Sequence, residues 1–380
     1  MDPLDAAQAA ALHQSKRKGA LLRFAEARTV KISPQRDGIW GPGPDPDTSE
    51  WRLRIEAPGA LNVNLGFSRY HLPESATLEM RDSDEGGLFV RAFTAQDNED
   101  HGELWTPLVA GEKLDLVLTV ADGERDMVEL VLEQVNLGFL PLRFAAGFDK
   151  IGGDAPRGSG HVDVVCSASQ SGVGTAIDFY RDQIRSAGVC TLAGVDTCSG
   201  SLLNNTASDR TPYFLTADHC GVRSTNSASL VVYWNFQNSS CRTGTGSNGS
   251  AGNGPLHQFN SGARLRATHA PSDFTLVELD DPVDPATNAH YAGWSRVNTP
   301  PSMGVSVHFP WVTEKRISFD FDALQSTAQY SSLTSASGSH LRVIDWDIGS
   351  TEPGSSGSPL FDQNGRVVGQ LTGCLLYTSD

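Results

Sequence analysis

Gly354-Ser355-Ser356-Gly357-Ser358-Pro359, followed by apolar stretches around Leu360 and Val367, is the segment on which the reading of this 380-residue chain turns. A serine hydroxyl is a poor nucleophile at neutral pH. It needs a neighbouring base, an acid that fixes the tautomer of that base, and N–H groups aimed at a developing oxyanion. Glycines on both sides of the serine pair let the backbone turn tightly and point successive N–H groups inward. On this reading Ser356 is the nucleophile, and the amides of Gly354 and Ser356 form the oxyanion hole. A Ser/Gly-rich stretch alone is more often only a turn, so the remaining parts must be found elsewhere.

Two further segments supply them. Tyr213-Phe214-Leu215-Thr216-Ala217-Asp218-His219-Cys220 reads as an apolar strand ending in a histidine beside a cysteine. Ser272-Asp273-Phe274-Thr275-Leu276-Val277-Glu278-Leu279 places a carboxylate at the head of an alternating strand, where it can accept a bond from imidazole Nδ1–H. Alone, the first is a surface histidine next to a structural cysteine and the second a strand-capping aspartate. Together, in the order His219, Asp273, Ser356, they make a catalytic triad. An α/β-hydrolase esterase orders its triad Ser, Asp, His on a GxSxG elbow; here the order is reversed and Ser358 stands at the final glycine position.

Composition bounds the setting. Hydrophobic residues make up 39% and charged residues 19%, as in globular chains, and the length suggests two or three domains. A net charge of −16 disfavours nucleic acid as a partner. No run of about 18 apolar residues occurs, so no membrane-spanning helix is expected. All six cysteines lie between Cys166 and Cys374, which reads as a disulfide framework made in an oxidising compartment. No CxxC pair or HExxH helix offers a metal site, and no cofactor is expected. Met1-Asp2-Pro3-Leu4-Asp5 lacks the layout of a signal peptide. The expectation is therefore a secreted protein whose true N-terminus is missing or misassigned.

The chain divides by pattern. Residues 1–30 are rich in helix formers, with a basic knot at Lys16-Arg17-Lys18, and suggest a short helix. Gly38 to Ser49 is dense in Gly, Pro and Asp and reads as a loop. Period-two alternation at Trp51–Ile55, Leu61–Leu65, Leu114–Val120 and Glu129–Val135 predicts an antiparallel β-sandwich within residues 31–150. A polar, Gly-rich connector, Asp149 to Pro156, leads to a second all-β domain over residues 151–373.

This second domain resembles bacterial trypsin-like serine proteases, above all the lysyl endopeptidase group. Thr216-Ala217-Asp218-His219-Cys220, Ser272-Asp273-Phe274-Thr275-Leu276 and Glu352-Pro353-Gly354-Ser355-Ser356-Gly357-Ser358-Pro359 look like the three catalytic motifs of that family. His161 to Cys166, Asn204-Asn205-Thr206, Val231 to Asn235 and Glu314 to Ser318 match as well, and the region around Trp51, Gly66-Phe67 and Leu104-Trp105-Thr106 is similar to the pro-region. The resemblance implies a zymogen: a β-sandwich-like pro-region that acts as an intramolecular inhibitor, then a chymotrypsin-like double β-barrel. It implies Cys166–Cys241 and Cys198–Cys220 disulfides, a Cys198–Cys220 bridge clamping the loop of His219. Substrates would be proteins or peptides. The competing reading is an inactive homologue kept as a binding module.

Departures from the family refine these expectations. The residue before Ser356 is the uncharged Ser355, so it cannot receive a new N-terminal ammonium group; activation should work by removing the pro-region, with a cut between Lys150 and Ala155. Ser350 stands where trypsin has its pocket-bottom aspartate, and Thr372 replaces a family histidine; both are assigned to the specificity pocket, with weakened inheritance of lysine preference. The first cysteine of the family's mature domain is Gly160 here. Residues 374–380 read as a translated sequencing adapter, which leaves the second barrel incomplete and Cys190 without its partner.

Overall fold

The computed structural model describes residues 1–5, 9, 21–83, 90–140, 160–242, 252–328 and 338–373. The basic knot at 16–18, the connector with its expected cut site and residues 374–380 lie outside the described residues.

In the strand Lys113–Ala121 the side chains of Leu114, Leu116, Leu118 and Val120 are buried, because alternate residues of a pleated strand face one side. Its neighbours follow the same rule, and two antiparallel sheets result. One runs Ala25–Ile32, Glu129–Gly138, Asn62–His71, Leu104–Trp105, with Val109–Ala110 also on Asn62–His71; the other runs Ile39–Pro42, Thr48–Glu56, Lys113–Ala121, Thr77–Asp82. Trp51, Leu65, Phe67, Tyr70, Phe93 and Leu118 fill the core between them. This is the sandwich expected from the alternation.

One local expectation is corrected, and another falls largely outside the described residues. Within the helix-former-rich segment, Leu22–Arg23 and Ala25–Ile32 form strands: Ala25–Ile32 pairs along Glu129–Gly138, and its burial alternates. The helix propensity of Ala and Glu is a weak prior that sheet pairing overrides. The Gly/Pro-rich stretch from 38 contains a strand, Ile39–Pro42, which forms a hairpin with Thr48–Glu56 through pairs such as Trp40 with Trp51. It is an edge strand, where a proline such as Pro42 is tolerated. Gly38 at φ 74° turns the chain into it, tightly enough that a Cβ there would lie 2.3 Å from Trp51 Nε1.

Most of the remaining strands form the two sheets that hold the site; Gln325–Thr327 and His340–Arg342 pair only with each other. The larger runs Phe259–Ser261, Val231–Tyr233, Ala187–Leu192, Asp196–Leu203, Tyr213–Ala217, Phe274–Leu279, Ala263–His269. Its two end strands are joined by one residue, Gly262 at φ 85°, so the sheet curls back on itself into a barrel. The smaller runs Val162–Asp163, Arg316–Asp320, Gly304–His308, Pro359–Phe361, Val367–Gln370 in an open order. One apolar cluster, including Val189, Tyr233, Phe309, Phe319 and Phe361, joins the two sheets. Leu22, Phe24 and Ala25 of the N-terminal part belong to this same cluster. No described helix is long and apolar enough to cross a membrane.

Candidate active site

Sheet pairing brings the histidine and aspartate segments together. Tyr213–Ala217 and Phe274–Leu279 are antiparallel neighbours with Ala217 opposite Phe274, so Asp218-His219 and Asp273 leave the same end of adjacent strands. His219 sits in the 3-10 turn Asp218–Cys220. Asp273 closes the turn Ala270–Ser272 in the left-handed region, at φ 55° and ψ 36°. A non-glycine residue stays there only when its surroundings hold it. Here Asp218 N–H donates to the Asp273 carbonyl at 2.9 Å, and Gln370 Nε2 donates to the carbonyls of Ser272 and Asp273 at 3.0 and 2.8 Å.

So held, the Asp273 carboxylate grips His219 twice. Oδ1 accepts from His219 N–H at 2.7 Å, and Oδ2 lies 2.7 Å from His219 Nδ1. The carboxylate is 4% exposed and the imidazole 24%. A buried carboxylate on Nδ1 favours the tautomer with the proton on that nitrogen and the lone pair on Nε2.

The serine loop is pressed against the barrel. Ser199 N–H donates to the Ser356 carbonyl at 2.7 Å, and Ser199 Oγ to the Gly354 carbonyl at 2.8 Å. Gly357, at φ 80°, permits this approach: a Cβ there would lie 2.4 Å from both Ser199 O and Thr216 Oγ1. The amides of Ser355, Gly357 and Ser358 are bonded to the carbonyls of Glu352, Leu371 and Ser355. Those of Gly354 and Ser356, the pair assigned to an oxyanion hole, have no acceptor among the described residues. Gly357, next to Ser356, thus lies beside Thr216 and Ala217, two to three residues from His219. Ser356 Oγ makes no hydrogen bond to any described residue.

Several supporting residues carry no sequence signal of their own. Ser355 Oγ lies 3.0 Å from His308 Nδ1, and His308 Nε2 2.9 Å from Ser318 Oγ. Burial first, and then the neighbouring His161 and Arg316, hold His308 well below the ordinary histidine range, so it is neutral. Gln370 and Ser199 belong to the same group: both lie in short strands, and only pairing shows what they hold.

Cys198 is bonded to Cys220, joining the strand Asp196–Leu203 to the histidine turn, and Cys166 to Cys241. Cys190 is free and buried, its thiol pushed up to about 12 by burial. His219 lies among Cys198 and Cys220 at ligand distance, but a disulfide has no thiolate to give a metal. Glu99, His101 and Asp280 also cluster, and there Arg264 Nε already stands 3.4 Å from Asp280 Oδ1. Ser350 and Thr372 share the wall of a cleft of about 530 Å³ with Ser272, Arg342, Trp346 and Gln370. His219, Asp273 and Ser356 are not in its lining; it opens beside them.

Comparison with known proteins bears on this site. The lysyl endopeptidase C-terminal domain family matches residues 155–377. A lysyl endopeptidase of Pseudomonas aeruginosa is 28% identical over 334 residues, covering 85% of this chain and 68% of that protein. Among solved structures, the active form of the Rv3671c protease from M. tuberculosis is 13% identical over 52% of this chain and 74% of its own, with a TM-score of 0.33. Deg5 is 11% identical over 51% and 82%, also at 0.33. With its matched segment spanning more than half the sequence and all three motif segments, the chain belongs to the lysyl endopeptidase family of proteases.

Proposed function

We propose that this chain is the precursor of a secreted serine endopeptidase acting through a His219–Asp273–Ser356 triad. The observation that carries the reading is the doubly bonded His219–Asp273 pair beside a loop whose only unbonded amides are those of Gly354 and Ser356. His219 Nε2 takes the Ser356 proton as Oγ attacks the peptide carbonyl, and Asp273 stabilises the imidazolium that forms. The oxyanion is received by the two free amides. The protonated His219 then gives its proton to the leaving amine, and water releases the acyl group by the same steps in reverse.

Residues 31–150 serve as pro-region and residues 151–373 as protease, with proteins or peptides as substrates and the pro-region as intramolecular inhibitor. Ser350 and Thr372 would help form the specificity pocket. Two disulfides suit an oxidising compartment. The name of the Pseudomonas relative raises lysine preference; the described cleft wall carries Arg296 and Arg342 against Asp345, which gives lysine no evident advantage.

The test is phosphonylation by a fluorophosphonate, in which Oγ attacks phosphorus and fluoride leaves. Labelling at Ser356 is expected, with loss of labelling and a fall in turnover of roughly 10⁴ or more in Ser356→Ala. Unchanged labelling in that variant would assign the nucleophile elsewhere.

A further inference from the structure

One edge of the strand Asp196–Leu203 is shared among three partners. Residues 201–203 pair with Tyr213–Ala217, Ser199 N–H bonds the Ser356 carbonyl, and Asp196 and Thr197 pair with the two-residue strand Leu22–Arg23. Moving along this edge, the nucleophile loop gives way directly to a piece of the N-terminal part of the chain. Phe24 N–H extends the contact by donating to the Val195 carbonyl at 2.9 Å.

Polarity and side chains make this piece resemble a bound peptide. Leu22 faces Thr197 and Arg23 faces Asp196, so the piece runs, amino to carboxyl, away from Ser199 and the Ser356 loop. A peptide undergoing cleavage has the same polarity on its leaving-group side: residues after the scissile bond run away from the nucleophile. Upstream, Leu21 approaches Gly221, two residues after His219, where a Cβ would lie 3.6 Å from Leu21 Cδ1. Leu22 is 5% exposed and packs against Gly354, where a Cβ would lie 3.1 Å from Leu22 Cδ2. Arg23 meets Asp196 through two bonds, Nε to Oδ1 at 3.0 Å and Nη2 to Oδ2 at 3.2 Å.

We propose that Leu22–Arg23 is an intramolecular ligand in the subsite for the leaving-group side of peptide substrates, and that Asp196 makes this subsite prefer a basic residue directly after an apolar one. The proposal rests on the assignment of Ser356 as nucleophile. Substrate recognition here is strand addition: the backbone of Asp196 and Thr197 supplies the hydrogen bonds, the surface at Gly354 takes the apolar side chain, and the Asp196 carboxylate takes the cation. While Leu22–Arg23 fills the subsite, a peptide must displace it before it can bind.

The test uses the full chain and three variants, Arg23→Glu, Asp196→Lys and the double Arg23→Glu/Asp196→Lys. Each is first labelled with a fluorophosphonate and then assayed with peptides that place Leu-Arg, Leu-Ala or Leu-Glu after the cleaved bond. Both single variants set like charges together and should vacate the subsite, raising the hydrolysis rate at low substrate by about fivefold; the double variant should return to the parent rate. Arg23→Glu should favour the Leu-Arg peptide and Asp196→Lys the Leu-Glu peptide. A merely structural ion pair would not reverse that order. If labelling depends on Ser356 but the single variants match the parent, or share one peptide preference, the subsite assignment is wrong. If neither these chains nor the protease part released from the pro-region by proteolysis shows labelling that is lost in Ser356→Ala, the assignment of the nucleophile is wrong and the subsite falls with it.

Discussion

His308 and Ser355, 47 residues apart in sequence, meet at 3.0 Å inside the smaller sheet, both fully buried. Ser355 lies between the two unbonded amides of the serine loop, so whatever holds its side chain also holds their direction. A neutral imidazole between two hydroxyls does here what an ion pair would do for a charged residue at that position.

His308→Leu should therefore lower kcat by about 10²-fold with little change in KM, because misaligned donors lose mainly transition-state stabilisation. Two buried hydroxyls, Ser355 and Ser318, would each lose a partner, at a cost of about 1–3 kcal/mol apiece in urea denaturation. His308→Asn should recover part of kcat. The parent should also lose stability on acidification. The folded pKa of His308 lies below 6.5, so the unfolded chain binds a proton first as pH falls through about 6.5, and stability drops until the folded pKa is reached. A stability–pH curve as flat in the parent as in His308→Leu would show that His308 does not titrate this way.

Asp273→Asn keeps the volume of the side chain and removes the carboxylate that fixes Nδ1–H. Turnover should fall by about 10⁴-fold while the backbone bond from His219 N–H survives through the amide oxygen. Steady-state kinetics with a thermal melt separates the two effects: the melt should barely move. A loss of activity matched by a large loss of stability would mean that Asp273 serves the fold.

Cys220→Ser opens the bridge that ties the histidine turn to the strand Asp196–Leu203. A native bridge of this kind contributes about 2–5 kcal/mol, so denaturation should shift by that amount. In the parent, peptide mapping without reduction should give Cys166–Cys241 and Cys198–Cys220, with Cys190 alkylated only after unfolding. A Cys190–Cys198 peptide would contradict the arrangement, although those two residues face each other across neighbouring strands.

The N-terminal sandwich and the barrel meet at His101 and Asp280, 3.1 Å apart. The hydrogen bond to Asp280 is the main cause that raises the His101 pKa, against partial burial; Glu103 and Glu99 add to it. A raised folded pKa means the contact stabilises fully below about 6.5 and weakens as pH rises through the folded value. Hydrogen exchange at residues 99–104 should accelerate over that window in the parent, and His101→Gln should remove the pH dependence. Exchange that slows as pH is raised, after correction for the intrinsic rate, would reverse the sign and sink the argument.

The order and spacing of His219, Asp273 and Ser356 motifs, the alternating strands and the restriction of cysteines to the second half were legible in the sequence because each is local: a period, a motif or a turn of a few residues. Even so, local preference misled at Ile39–Pro42, where a partner strand chose the conformation, as one also did for the helix formers of Ala25–Ile32. What only tertiary structure decided are the contacts with no local pattern to betray them. His308 with Ser355, Gln370 with the carbonyl of Asp273, and Leu22–Arg23 with Asp196 and Thr197 join residues 47, 97 and about 173 positions apart. A histidine, a glutamine and a leucine–arginine pair in short strands look like any others. Their roles arise when sheet pairing fixes which strand edge faces which loop, and that choice is made by the whole core at once.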